Sequence, residues 1–109
     1  MKKLPLKFTR WGFEFTQMKR TPNVALYMQK NLETGIVHFE IVRPLIKRAD
    51  TTLRGVVYPA GEYYPSSELW GVMGWTTKRD GAAAEIFRRV DEWCGSDREQ
   101  VLAELLKGI

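Results

Sequence analysis

The stretch VALYMQKNLETGIVHFEIVR, residues 24–43, decides the fold of this chain. Val24, Leu26 and Met28 alternate with Ala25, Tyr27 and Gln29, and the alternation returns where Val37, Phe39 and Ile41 enclose His38 and Glu40. Successive side chains of a strand point to opposite faces, so a period of two reads as a strand with one face buried. Between the two runs, Asn31-Leu32-Glu33-Thr34-Gly35 supplies a turn in which Gly35 can take a positive φ. Residues 24–29 and 36–43 are therefore expected to be antiparallel neighbours.

Upstream, Trp11-Gly12-Phe13-Glu14-Phe15-Thr16 repeats the period, with Trp11, Phe13 and Phe15 assigned to the core. Lys19-Arg20-Thr21-Pro22-Asn23 breaks it, because Pro22 has no donor and Asn23 tolerates turn conformations. Downstream, Pro44 ends regular pairing or places its strand at an edge, Leu45 to Thr52 reads as a loop, and Leu53 to Tyr58 as a fourth, short strand. Asp80 is placed to cap a helix with Ala83, Ile86, Phe87, Val90, Trp93 and Cys94 at helical spacing, stopped by Gly95. Ser96 and Glu99 form a capping-box pattern before a final helix, residues 97–107, striped by Val101, Leu102, Leu105 and Leu106. Strands followed by helices predict an α+β fold: one domain over residues 1–109, with an antiparallel sheet of about four strands, the residue 80–94 helix on one face and a short final helix.

With 109 residues, 44% hydrophobic and 28% charged, the chain has the composition of a folded globular protein. No apolar run approaches the roughly 18 residues that cross a bilayer, and Met1-Lys2-Lys3-Leu4-Pro5 opens no signal-type segment, so a cytoplasmic protein is expected. Its one cysteine, Cys94, permits no intrachain disulfide and no cysteine zinc cage, and reads as a small buried apolar residue. The net charge of +4 is uneven: residues 1–60 hold eleven Lys/Arg against four acids, and residues 61–109 six against nine. A basic half attracts phosphates or an acidic partner.

The most unusual segment is PAGEYYPSSELWGVMGWTT, residues 59–77. Pro65-Ser66-Ser67-Glu68 has the residues of a single helical turn, with serines to bond free amides and an acid at the positive end. Gly71 and Gly74 let the backbone reverse, which is expected to bring Trp70 and Trp75 to one surface. That surface is either a lid on the sheet or a hot spot for a partner, with Tyr63, Tyr64 and Trp70 as its anchors.

The phrases RTPNVALY, PAGEYYPSSELWG and GWTT, followed by an Ala-rich helix, resemble a family of small proteins of unknown function from bacteriophages and prophage-bearing bacteria. The likeness covers about residues 11–90 and carries no functional residue over. It implies a phage or mobile-element setting.

Catalytic motifs are missing from the sequence. His38 lies mid-strand beside Glu40, away from any nucleophile elbow, and no phosphate-cradling glycine loop occurs. With one His, one Cys and scattered acids, no metal, no cofactor and no enzyme activity are expected. Two functions remain. The first is a non-catalytic protein-interaction module that binds an unidentified protein or a second copy of itself through Tyr63, Tyr64, Trp70 or the stripe Val101, Leu102, Leu105 and Leu106. The alternative is sequence-tolerant binding of single-stranded nucleic acid, with Tyr27 and His38 stacking on bases and Arg43, Lys47, Arg48 and Arg54 on phosphates. For the nucleic-acid reading, the sheet face opposite the core is expected to show Glu14, Thr16, Met18, Ala25, Tyr27, Gln29, His38 and Glu40.

Overall fold

The computed structural model describes residues 2–47 and 49–96. The elements in chain order are β1 (Lys7–Arg10), β2 (Phe13–Arg20), β3 (Ala25–Asn31), β4 (Val37–Val42), β5 (Leu45–Lys47), β6 (Thr51–Leu53), β7 (Val56–Tyr58), β8 (Gly61–Tyr63), a single 3-10 turn (Ser67–Leu69), β9 (Gly74–Thr77) and α1 (Asp80–Ser96). β1 to β4 form an antiparallel meander, and β9 returns to pair with β4, completing a sheet in the order β1-β2-β3-β4-β9. Gly35 closes the β3–β4 turn at a φ of 77°, as its place in the sequence predicts. No helix among the described residues is long and apolar enough to cross a membrane.

The antiparallel sheet with a helix after it agrees with the α+β reading, but the strand inventory differs. β1 and β9 join the main sheet, whereas the expected strand over residues 53–58 is a hairpin of its own, β6 with β7, bent at Arg54-Gly55. Both turn residues have positive φ, 51° and 78°, the backbone of a tight hairpin turn, which a propensity reading of Leu53 to Tyr58 overlooks. Part of the expected loop is β5, paired with β8. Gly95 does not stop α1, since a helix-interior glycine costs only about 1 kcal/mol against alanine. The final helix over residues 97–107, with its stripe Val101, Leu102, Leu105 and Leu106, lies outside the described residues, as does Arg48.

Both faces of the sheet are buried, each for part of its width. On one, Val24, Leu26 and Ile41 pack beneath Ala83, Phe87, Val90 and Cys94 of α1. The helix packs mainly on β3, β4 and β9. On the other face, Phe15, Ala25, Tyr27 and Val42 form a second core with Leu4, flanked by Phe8, Phe13, Tyr64 and Trp70. The expectation of one core put Phe13 and Phe15 with the helix. The register pairs Phe15 with Gln29 and Phe13 with Asn31, so they share the face of Tyr27.

A bulge at Met18 shifts the β2–β3 register between Gln17 and Lys19. The extra residue turns Lys19 over the Phe87 ring, 5.2 Å from its centroid, and Arg20 toward the second face. There the Arg20 guanidinium pairs with the buried Glu62 at 2.5 Å, and the Leu4 N–H donates to the same carboxylate at 3.1 Å. This polar clamp fastens residues 61–74 across the sheet.

Candidate functional site

The second face holds a cavity of about 210 Å³. Its floor is Phe8, Phe15, Gln29 and Glu40, set by strand register: Phe8, Phe15 and Gln29 lie in one cross-strand row, and Glu40 lies in the next, between Tyr27 and Thr76. Its roof is Tyr64, Pro65, Ser67 and Trp70, and its mouth is Arg10 and Trp11. Phe8 lies flat on Phe15, with centroids 4.5 Å apart and planes 4° from parallel. Tyr64 meets Phe8, Phe15 and Tyr27 edge-on at 5.6, 5.8 and 5.5 Å, and Trp70 is tilted against Tyr64 at 6.4 Å. These are the offset arrangements that ring quadrupoles favour.

Trp70 reaches its place because Gly74 has no side chain. A Cβ there would stand 2.6 Å from the indole ring. The Ser67–Leu69 turn sets the entry angle, although Ser66, at its N-cap, makes no side-chain capping bond. Trp75, one residue into β9 and opposite Ile41, points to the helix face. Trp70 and Trp75 therefore occupy opposite faces instead of one surface, since the two glycines reverse the chain between them and β9 then imposes its own alternation.

Among the described residues, the carboxylate lining the cavity is that of Glu40, only 9% exposed. The Tyr64 hydroxyl donates to its Oε1 at 2.5 Å and the Thr76 hydroxyl to its Oε2 at 3.4 Å, while Trp70 Nε1 donates to Thr76 Oγ1 at 2.8 Å. Among the described residues no Lys or Arg forms an ion pair with it. Burial pushes its pKa above the ordinary carboxylate value, opposed in turn by the bonds from Tyr64 and Thr76 and by the nearby His38. Tyr64 is driven well above a normal phenol, by burial first and then by the Glu40 charge, so it remains a donor.

Trp11 takes the place of a turn residue instead of its expected core position. It occupies the β1–β2 turn with Gly12, at φ values of 52° and 78°, and is 74% exposed. Left-handed backbone at a non-glycine residue costs roughly 1–2 kcal/mol, and this indole recovers little of that by burial. The Arg10 guanidinium stacks on it, 3.9 Å from the ring centroid. The neighbouring β3–β4 turn, joined to this one by the Leu32 N–H donating to Gly12 O at 3.0 Å, exposes Leu32 and Ile36.

Of the anchors read from sequence, Tyr64 and Trp70 meet in this cavity. Tyr63 is elsewhere, its hydroxyl on Pro59 O and its ring near Lys2 and Lys47. The nucleic-acid candidates are not gathered. Tyr27 is fully buried, its hydroxyl donating to Pro5 O at 2.7 Å, so it cannot stack on a base. Arg43 is 1% exposed beside the Trp93 ring, out of reach of phosphates. Lys47 rests on Tyr58 and Tyr63, Arg54 is exposed at the β6–β7 tip, and His38 lines a neighbouring shallow pocket with Phe13 and Gln29. The face expected to be open is thus covered over Ala25, Tyr27 and Glu40, while Met18 is exposed, Gln29 and His38 line an accessible pocket, and the register turns Glu14 and Thr16 to the helix side.

Sequence reasoning missed Phe8, because a four-residue strand leaves too short an alternation to detect; it placed Glu40 at the surface and read Arg10 only as one of the basic residues in turns and ends. Among the described residues no group of three or more His, Cys, Asp or Glu is arranged to hold a metal ion. No protein-family model, characterised protein or solved structure matches this chain.

Proposed function

We propose that the chain is a non-catalytic protein-interaction module that takes one side chain of a partner protein into the cavity roofed by Tyr64 and Trp70, with Trp11, Leu32 and Ile36 as the surrounding contact surface. The observation that carries this reading is Trp11: an exposed indole in left-handed backbone, stacked by Arg10, at the mouth of an aromatic cavity. Trp, Tyr and Arg are the residues enriched in interface hot spots, and such anchors cluster around pockets. Strain retained without packing return is found where a site is used. A cavity of 210 Å³ is smaller than the roughly 300–1,000 Å³ of sites for drug-sized ligands and suits one side chain. A phage or mobile-element setting, in which a small protein acts by binding another, is part of the same proposal.

Selection of displayed random peptides on the protein tests the reading. Enriched peptides are expected to bind the native protein and to lose about thirtyfold or more in affinity on Trp11→Ala and on Trp70→Ala, the scale of a hot-spot residue. Peptides that bind equally well to both variants would place the contact surface elsewhere. Sedimentation over a range of concentrations separates a second copy of the chain from a different partner.

A further inference from the structure

We propose that the side chain received by this cavity is an arginine of the partner, its guanidinium paired with the Glu40 carboxylate among the rings of Phe8, Tyr64 and Trp70. The inference rests on the cavity being the partner-binding site, and it adds the chemistry of the occupant. The first ground is charge. Glu40 is buried and lacks a cationic partner among the described residues. A carboxylate taken out of water is costly unless a cation and hydrogen bonds compensate for it. Tyr64 and Thr76 supply hydrogen bonds and no charge.

The second ground is valence. An ionised carboxylate offers about four lone-pair sites, two on each oxygen. Tyr64 occupies one on Oε1 and Thr76 one on Oε2, which leaves one on each oxygen. Two parallel N–H donors from a planar guanidinium fill that pair, whereas a lysine ammonium is a point charge without the fork and a quaternary ammonium donates nothing. The third ground is the wall. Aromatic faces attract cations through their quadrupole, and the attraction grows when the cation is desolvated. The chain already uses this contact at the mouth, where Arg10 stacks on Trp11. Arg10 carries the same charge as the proposed guest and lines the cavity, so it opposes entry.

The protein, titrated with N-acetyl-arginine methylamide and with its citrulline counterpart, gives the test, read from the Trp70 indole N–H in nitrogen-15 spectra. Citrulline keeps the shape of arginine and removes the charge. Saturable shifts with the arginine amide, affinity about thirtyfold or more weaker for citrulline, and a similar loss on Glu40→Gln are expected, as for a buried charge pair missing one member. Arg10→Gln should tighten binding. Equal binding of citrulline, binding of the lysine amide as tight as that of arginine, or no effect on the Trp70 indole would overturn the proposal. The citrulline comparison leaves the protein unaltered, so it stands even where Glu40→Gln disturbs folding. Selected peptides that depend on Trp11 and Trp70 but carry no arginine would overturn this inference and leave the module reading intact. Absence of any such peptide removes both.

Discussion

The two faces of the sheet are covered by different means. Over β3, β4 and β9 lies a helix whose Ala83, Phe87, Val90 and Cys94 recur at helical spacing and close on Val24, Leu26 and Ile41. Over the other face lies an irregular crossing, residues 61–74, held by the Arg20–Glu62 pair and filled with rings. A helix side presents evenly spaced apolar groups that interdigitate to crystal-like density. Tyr64 and Trp70, on irregular chain, lean on one another at a 32° tilt and leave a cavity with a carboxylate in it. The helix face thus stabilises the fold by regular packing, and the ring-covered face combines ring packing with an open cavity.

The sharpest break of this comparison is Phe87→Ala, which empties the helix-side core and should cost about 3–5 kcal/mol in denaturant unfolding. Peptide affinity at temperatures where the variant is folded should be unchanged. If Phe87→Ala weakened binding as strongly as Trp70→Ala, the two faces would not be functionally separate. Next, Tyr27→Phe removes the donor to Pro5 O and the acceptor for Gln17, and should cost about 0.5–1.5 kcal/mol for each bond lost. Gly74→Ala places a methyl against the Trp70 ring, which can swing outward. Loss of peptide binding greater than the loss of stability is expected, with a changed Trp70 indole resonance as the check.

The buried carboxylate gives a pH signature confined to one face. Glu40 has a folded-state pKa above its unfolded value, so its contribution favours folding at low pH and is lost as pH rises through the folded pKa. The native protein should therefore gain Tm relative to Glu40→Gln as pH falls from neutrality toward 4.5, the unfolded value. The groups facing Glu40 are His38 on its own strand, Tyr64 from the crossing and Thr76 on β9, with Arg10 acting on Tyr64 from β1. A bound cation should release the proton and lower that pKa, so arginine amide affinity should fall over the same acid range. The smallest effect on stability is expected for Trp11→Asn. Asparagine accepts left-handed backbone more readily, so Tm should stay level or rise slightly while peptide binding is lost.

Local patterns made much of the helix-bearing half legible. The alternations around Leu26 and Ile41 and the spacing of Ala83, Phe87 and Val90 each carry a period, and each element buries the face that its period marks. The site was legible in part: Tyr64 and Trp70 stood out as aromatic anchors, and they do meet. Glu40 and Phe8 did not stand out, because a carboxylate in an alternating strand reads as solvent-facing unless something covers it, and that cover comes from residues some twenty-four positions away, beginning with Tyr64.

By itself, then, the sequence determined the strand alternations, the Gly35 turn, the helix from Asp80 and the absence of any motif for catalysis, all properties set by neighbours within a few residues. Which face each strand shares with the next was decided only by tertiary structure, because register depends on how turns and the Met18 bulge align distant segments. That alignment put Phe15 beside Tyr27, drew Tyr27 and Arg43 out of solvent, and set Glu40 beneath the rings of Tyr64 and Trp70. Burial and electrostatics act through space, so the pKa of Glu40 and the exposure of Trp11 exist only once the chain has folded.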